Sequence, residues 1–175
     1  MRRGVMFAVA LLALAVFAVP SVASAGKQGR GECTIAGTSG DDTLIGTNDP
    51  DVICGFGGND FIKGRGGADS IAAGAGNDTV IAGGGADVVD GGLGRDILDG
   101  DAGADTLRGG PGADNIRGFG GPDHLFGQRG ADCLYTVDGV SGNDHGDGGD
   151  GFDTRDIDSG DHVINTEAEG NCAGD

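Results

Sequence analysis

The sequence predicts an all-β fold in which short parallel strands stack into a flattened solenoid. Residues 37–135 divide into eleven consecutive nonapeptides without an insertion. An aspartate occupies the sixth position of every nonapeptide, and a leucine, isoleucine or valine occupies the eighth. Glycine fills most of the first and fourth positions, so each repeat joins a turn to a short apolar segment.

The chain begins with the pattern of a secretory signal peptide. Two arginines precede an uncharged apolar run, residues 5–19, and small residues at 23–25 precede Gly26. The run is short for a transmembrane helix, so an uncleaved anchor is the less favoured alternative. We expect cleavage after Ala25 and a secreted, extracellular mature protein with no membrane span.

Composition restricts the class of partner. The 175-residue chain has 28 Asp and Glu against 11 Lys and Arg, a net charge of −17. Loss of residues 1–25 removes two arginines and no acid, which leaves −19. This acidity disfavours nucleic acid and anionic membranes as partners. The chain has 40 glycines and 4 prolines, a content that would indicate disorder if the sequence had no repeat. The regular nonapeptide period therefore favours a folded chain.

Each nonapeptide is interpreted as a turn followed by a very short strand. The glycines of the first four positions permit turns, and the last three residues are β-branched or apolar. Side chains alternate across a strand, so position eight faces inward while positions seven and nine face outward. Two nonapeptides make one coil, and coils stack as parallel strands about 4.8 Å apart. The predicted core residues are Leu44, Ile53, Ile62, Ile71, Val80, Val89, Leu98, Leu107, Ile116, Leu125 and Leu134.

Stacking of the coils places the sixth-position aspartates in two columns of like charge. One aliphatic side chain per nine residues is too small a core to offset the entropy of ordering and this repulsion. We therefore expect a cation between neighbours in each column. Carboxylates and turn carbonyls are hard oxygen ligands that suit Ca²⁺, and the columns provide roughly nine gaps for it. The predicted ligands are Asp42, Asp60, Asp78, Asp96, Asp114 and Asp132 in the first column and Asp51, Asp69, Asp87, Asp105 and Asp123 in the second.

The array resembles the RTX (repeats-in-toxin) family of calcium-binding nonapeptides, whose pattern is GGxGxDxUx with U a large aliphatic residue. Copies such as GGLGRDILD carry the resemblance over 99 residues. It implies a right-handed parallel β-roll in which the first six residues form a calcium-binding turn and the last three form a strand. It also implies that the eleven aspartates and turn carbonyls ligate calcium. Thr38, Thr47 and Asp49 depart from the pattern, so the first two turns match it less well.

The pattern divides the chain into four segments. They are the signal peptide, an N-terminal cap, the eleven-repeat roll, and a region of degenerate repeats with a C-terminal cap, at residues 1–25, 26–36, 37–135 and 136–175.

Two degenerate repeats, GVSGNDHGD and GGDGFDTRD, follow residue 138. They keep Asp144 and Asp153 at position six but place Gly146 and Arg155 at position eight. We expect them not to extend the aliphatic ladder, and the sequence leaves open whether they bind calcium.

Four cysteines in an exported chain predict two disulfide bonds. Cys54 and Cys133 lie more than four coils apart, about 20 Å along the stack, which exceeds the reach of a disulfide. Pairing Cys33 with Cys133 and Cys54 with Cys172 would have to cross the same distance. The remaining pairing, Cys33–Cys54 with Cys133–Cys172, is the predicted one and would hold each end of the solenoid.

These observations predict a secreted calcium-binding protein without enzymatic activity. Its roll is expected to fold when it binds several Ca²⁺ ions. The chain has no HExxH or GxSxG motif and no phosphate-cradling loop. The alternative is a surface adhesin or a partner-binding solenoid module that depends on calcium. Position seven is irregular along the array, which argues against ice binding.

Overall fold

The computed structural model describes residues 32–138 and 143–169. The predicted signal peptide and its cleavage point lie outside these ranges. The strands are β1 (Ile35–Ala36), β2 (Thr43–Ile45), β3 (Val52–Gly57), β4 (Phe61–Gly66), β5 (Ser70–Ala75), β6 (Thr79–Gly85), β7 (Val88–Leu93), β8 (Ile97–Gly103), β9 (Thr106–Gly112), β10 (Asn115–Gly120), β11 (His124–Gly130), β12 (Cys133–Tyr135), β13 (His145–Gly151), β14 (Thr154–Asp156), β15 (His162–Ile164) and β16 (Ala168–Glu169).

The strands form two parallel sheets of eight. The odd sheet has the order β1-β3-β5-β7-β9-β11-β13-β15, and the even sheet contains the even-numbered strands in the same progression. Successive strands of the chain therefore alternate between the sheets, and two strands with two turns complete each coil. This arrangement confirms the predicted parallel β-roll. Among the described residues, no helix has the length and hydropathy of a membrane span.

The core is the ladder of eighth-position side chains between the sheets. Leu98 stands in register with Val80 and Ile116 in the even sheet, and all three are fully buried. The eleven predicted core residues are at most 6% exposed. Strands such as β2 alternate exposed, buried, exposed, which confirms that positions seven and nine face outward.

Most strands are longer than the three residues predicted, although β2 and β12 have three. Strand β3 continues from the last three residues of one nonapeptide into the first three of the next, and Phe56 pairs with Gly74 of β5 there. These residues remain paired because the backbone of each coil follows that of its neighbour around the start of the turn. The second position has a positive φ in the third to the eleventh nonapeptide, 102° at Gly92 and 74° at Phe56, which changes the chain direction.

The roll continues beyond Tyr135 despite the degenerate repeats. Gly146 stands opposite Leu125, so the aliphatic ladder is interrupted in the odd sheet, as predicted. A Cβ on Gly146 would lie 3.1 Å from Leu134 Cδ2 and 3.0 Å from Val163 Cγ1. These two neighbours fill the space of the missing side chain, and Val163 packs against the core from β15. The C-terminal segment therefore adds strands to both sheets.

A disulfide fastens the N-terminal end of the roll. Cys33 and Cys54 are bonded, with their Cα atoms 5.9 Å apart, which confirms the first predicted pair. The bond joins Cys33, two residues before β1, to β3 of the next coil. Cys133 is also disulfide-bonded, and its predicted partner, Cys172, lies outside the described residues.

Candidate metal centre

The turns between the sheets bring the predicted aspartates into two columns. Each aspartate is the last residue of a turn and directly precedes a strand, as Asp96 precedes β8. Ten of the eleven are buried, with exposures of 7% or less, and Asp42 is half-buried. Strand register stacks the turns at intervals of eighteen residues, so Asp78, Asp96 and Asp114 follow one another directly.

One oxygen of each carboxylate is fixed by the neighbouring coil. Asp96 Oδ1 accepts a hydrogen bond of 2.8 Å from the Asp78 amide N–H. The Asp96 amide in turn donates to Asp114 Oδ1 at 2.9 Å. The same bond, 2.7–2.9 Å long, joins every pair of column neighbours from Asp42 to Asp132. Each coil therefore orients the carboxylate of the coil that follows it.

The other oxygen, Oδ2, is buried and has no hydrogen-bond donor in most turns. A buried carboxylate oxygen without a partner is costly, because the charge has lost its water and gained nothing. The atoms in this position are Oδ2 of Asp60, Asp69, Asp78, Asp87, Asp96, Asp105, Asp114, Asp123, Asp132, Asp144 and Asp153. A row of such oxygens requires a proton or a cation.

Burial also raises the pKa of these carboxyl groups. Desolvation is the main cause, and charges of column neighbours add to it at several positions. The pKa of Asp96 rises to about 6, and that of Asp105 and Asp114 to about 7. Hydrogen bonds from the neighbouring amides act in the opposite direction without cancelling the rise. The columns therefore hold ionised carboxylates at neutral pH only against a penalty that a cation would remove.

Backbone carbonyls of the next coil lie beside the unpartnered oxygens. A Cβ placed on Gly91 would lie 2.6 Å from Asp96 Oδ2 and 2.7 Å from the Gly109 carbonyl oxygen. Carboxylate and carbonyl oxygens are the ligands that Ca²⁺ takes in proteins. Within the described ranges, no three His, Cys, Asp or Glu side chains converge on one point. An ion here must therefore draw ligands from the backbone as well as from aspartate, and the turn carbonyls can supply them.

Comparison with known proteins also indicates a calcium-binding repeat. The family model of the RTX calcium-binding nonapeptide repeat matches residues 36–71, 63–98 and 99–134. The chain belongs to the RTX calcium-binding repeat family. A comparison with curated proteins found no match to the chain.

The first two turns of the RTX roll differ from those that follow. Asp42 Oδ2 accepts hydrogen bonds from the Thr38 amide at 2.6 Å and the Thr38 hydroxyl at 2.9 Å. Thr47 makes the same two bonds to Asp51 Oδ2, at 2.7 and 2.9 Å. Burial raises the pKa of Asp51, but the bonds from Thr47 and Thr34 outweigh it and leave the pKa lowered. In these two turns threonine donors thus satisfy the oxygen that is unpartnered elsewhere.

The roll adds two aspartates beyond the eleven predicted ligands. Asp144 Oδ1 accepts the Asp123 amide, and Asp153 Oδ1 accepts the Asp132 amide, both at 2.8 Å. Both residues are almost fully buried, and their Oδ2 atoms are unpartnered. In the sequence, the indication that they belong to the columns is their sixth position in the degenerate repeats. These repeats lack an aliphatic residue at position eight, so the core pattern does not predict that their coils stack on the roll.

The first position of the turn varies at two places. Ala73 and Ala82 replace the glycine found at this position in the other repeats, and both side chains are fully buried. Their methyl groups occupy the point where glycine has only a hydrogen atom, as at Gly91. The turns that contain Asp78 and Asp87 therefore have less room beside Oδ2 than the others.

Proposed function

We propose that this RTX protein is a secreted, non-enzymatic calcium-binding protein whose roll folds as calcium enters the two aspartate columns. The unpartnered, buried Oδ2 atoms carry the proposal. Without a cation, the stacked carboxylates lose hydration and repel one another. Each bound Ca²⁺ offsets both costs, so binding free energy becomes folding free energy.

The proposed ion positions follow the unpartnered oxygens rather than the eleven predicted aspartates. Nine gaps separate neighbours among those eleven, but threonine donors already satisfy Asp42 and Asp51. Asp144 and Asp153 extend the columns at the other end. The described residues thus offer eleven unpartnered Oδ2 atoms, six in one column and five in the other. These leave nine gaps between neighbours, and we expect at most nine ions. Calorimetry with Ca²⁺ and metal analysis of the dialysed protein measure this number.

A calcium titration followed by circular dichroism tests the folding proposal. The chain should be largely unfolded in chelator and should gain β signal with a cooperative calcium midpoint. Mg²⁺ is the matched control, because it demands octahedral geometry and keeps its water. A full β signal in excess chelator would contradict calcium-dependent folding.

Secretion is supported by two observations. The first residues have the pattern of a signal peptide, and the Cys33–Cys54 bond is of a kind that persists in oxidising compartments. Mass spectrometry of protein recovered from the medium should give a mature chain that begins at Gly26. Recovery of the full-length chain from the cytosol would contradict this part of the proposal.

A calcium-dependent adhesin or partner-binding role is the second candidate. Ile45, Phe61 and Ile97 are 47%, 40% and 39% exposed on the outer face of the even sheet. Exposed apolar side chains on one face of a sheet favour contact with another molecule. A pull-down with calcium present and absent tests this role, and the triple substitution of these residues by threonine is the control.

A further inference from the structure

Three histidines form a row on the outer face of the odd sheet. His124 is the first residue of β11, His145 of β13 and His162 of β15. Strand register places His145 directly opposite both of the others. All three are exposed position-seven side chains, so they belong neither to the core nor to the calcium turns. Their alignment is a product of coil stacking, because they are separated by 21 and 17 residues in the chain.

The spacing of the first two rings matches a bis-imidazole metal site. The ring centres of His124 and His145 are 5.3 Å apart, with an interplanar angle of 31°. Zinc binds imidazole nitrogen at about 2.0–2.1 Å with tetrahedral angles, which places two ring centres about 5.2 Å apart. His145 and His162 are further apart, at 6.0 Å, and their rings meet edge to face. The first pair is therefore the better arranged of the two.

We propose that His124 and His145 bind a divalent transition-metal ion of the Zn²⁺, Cu²⁺ or Ni²⁺ class on the outer face of the roll. One ion cannot reach all three rings, because His124 and His162 are two strand spacings apart, about 9–10 Å. No third side-chain ligand converges with the pair among the described residues. Water therefore completes the coordination, and the site is open to exchange.

The site is chemically distinct from the calcium turns. Imidazole nitrogen suits Zn²⁺, Cu²⁺ and Ni²⁺, whereas carboxylate and carbonyl oxygens suit Ca²⁺. The two metals therefore occupy different places on the molecule. Zinc should bind the calcium-loaded roll without displacing calcium.

The two kinds of site are nevertheless coupled through the same pair of coils. The Asp123 amide donates to Asp144 Oδ1 at 2.8 Å, one residue before the two histidines. When these coils stack, the imidazoles come together. Calcium should therefore strengthen zinc binding, and zinc should strengthen calcium binding by the same factor. This coupling rests on the proposed calcium-dependent folding, whereas the site itself requires only the folded roll.

Titration calorimetry of the mature chain with Zn²⁺ at saturating Ca²⁺ tests the site. We expect one zinc ion per chain, at least tenfold weaker binding in His124→Gln and His145→Gln, and a change of less than threefold in His162→Gln. Circular dichroism in calcium should show that all three variants fold like the wild type. Absence of zinc binding to the folded wild-type protein would overturn the proposal, as would an equal loss in His162→Gln.

The coupling is tested separately in calcium-depleted buffer, without a chelator that would also bind zinc. We expect zinc affinity to fall at least tenfold and the calcium midpoint to drop when zinc is added. Suppose that circular dichroism shows the chain to fold only with calcium. A zinc affinity that is then the same with and without calcium would refute the coupling. If the chain folds without calcium, the calcium-dependent folding is wrong, and zinc binding still reports on the histidine pair.

Discussion

Replacing Asp96 by asparagine should affect the stability of the roll in opposite directions with and without calcium. Asp96 is fully buried, its Oδ1 accepts the Asp78 amide, and its Oδ2 is unpartnered. Asparagine keeps an oxygen for that amide and replaces the anionic oxygen by a neutral NH₂ group. The substitution therefore removes a buried charge while it preserves the link between coils.

The magnitude follows from the pKa of this group. Burial raises the pKa of Asp96 from 3.8 to about 6, which corresponds to about 3 kcal/mol for keeping it ionised at pH 8. Asp96→Asn should stabilise the calcium-free roll by up to this amount. With calcium at a hundred times the dissociation constant, each lost ion costs about 2.7 kcal/mol. The loss of two adjacent ions outweighs the gain and leaves the variant about 2 kcal/mol less stable than the wild type.

Two folding titrations measure the two conditions. In calcium-depleted buffer, trimethylamine oxide drives folding, and circular dichroism gives the free energy. At saturating calcium, urea unfolding gives the corresponding value. Asp42→Asn is the matched control, because Thr38 already donates two hydrogen bonds to Asp42 Oδ2. Asp42→Asn should lower the free energy of unfolding by about 1–2 kcal/mol in both conditions. The reasoning is refuted if Asp96→Asn destabilises the calcium-free roll as Asp42→Asn does.

Three other predictions concern the core, the disulfide and the pH dependence. Leu98→Ala, at a fully buried position of the ladder, should cost about 2–5 kcal/mol in urea unfolding with calcium; an equal loss in the neighbouring outward variant Ile97→Thr would contradict the assigned register. Replacing both Cys33 and Cys54 by serine opens a loop with a sequence separation of 21 and should cost about 3 kcal/mol; an unchanged urea midpoint under non-reducing conditions would count against this estimate. In the folded chain, burial raises the pKa values of buried aspartates to about 6–7. The calcium-free roll therefore holds protons that the unfolded chain releases above pH 3.8. The resulting stability is fully present below pH 3.8 and is lost as the pH rises through 7. The β signal in calcium-depleted buffer should accordingly be larger at pH 5 than at pH 8, whereas calcium affinity should be weaker at pH 5; circular dichroism that is identical at both pH values would exclude this linkage.

The periodic part of the fold could be predicted because the period expresses the geometry directly. An aliphatic every nine residues, with two repeats to a coil, specifies which side chains face inward, and Leu98 lies where the pattern places it. The eleven position-six aspartates lie in two columns for the same reason. The Cys33–Cys54 pair also followed from the coil length, because a stacked chain leaves few cysteines within bonding distance.

The irregular parts of the fold could not be predicted from the pattern. Gly146 lacks the aliphatic group of position eight, yet Leu134 and Val163 fill its place from neighbouring strands. Residues distant in the sequence supply this packing, so the residues around Gly146 do not predict it. As a result, the columns extend to Asp144 and Asp153, which the core pattern alone would exclude.

The sequence by itself determined the repeat, the inward and outward faces, and the chemistry of the turns, because these depend on residue type at a fixed spacing. Only the tertiary structure decided which carboxylate oxygens have partners. Thr38 satisfies Asp42 within one turn, whereas Asp96 Oδ2 has no donor although its Oδ1 is bound from the preceding coil. The physical reason is that a buried oxygen depends on its three-dimensional neighbours. Stacking supplies or withholds those neighbours, and it also brings His124 beside His145.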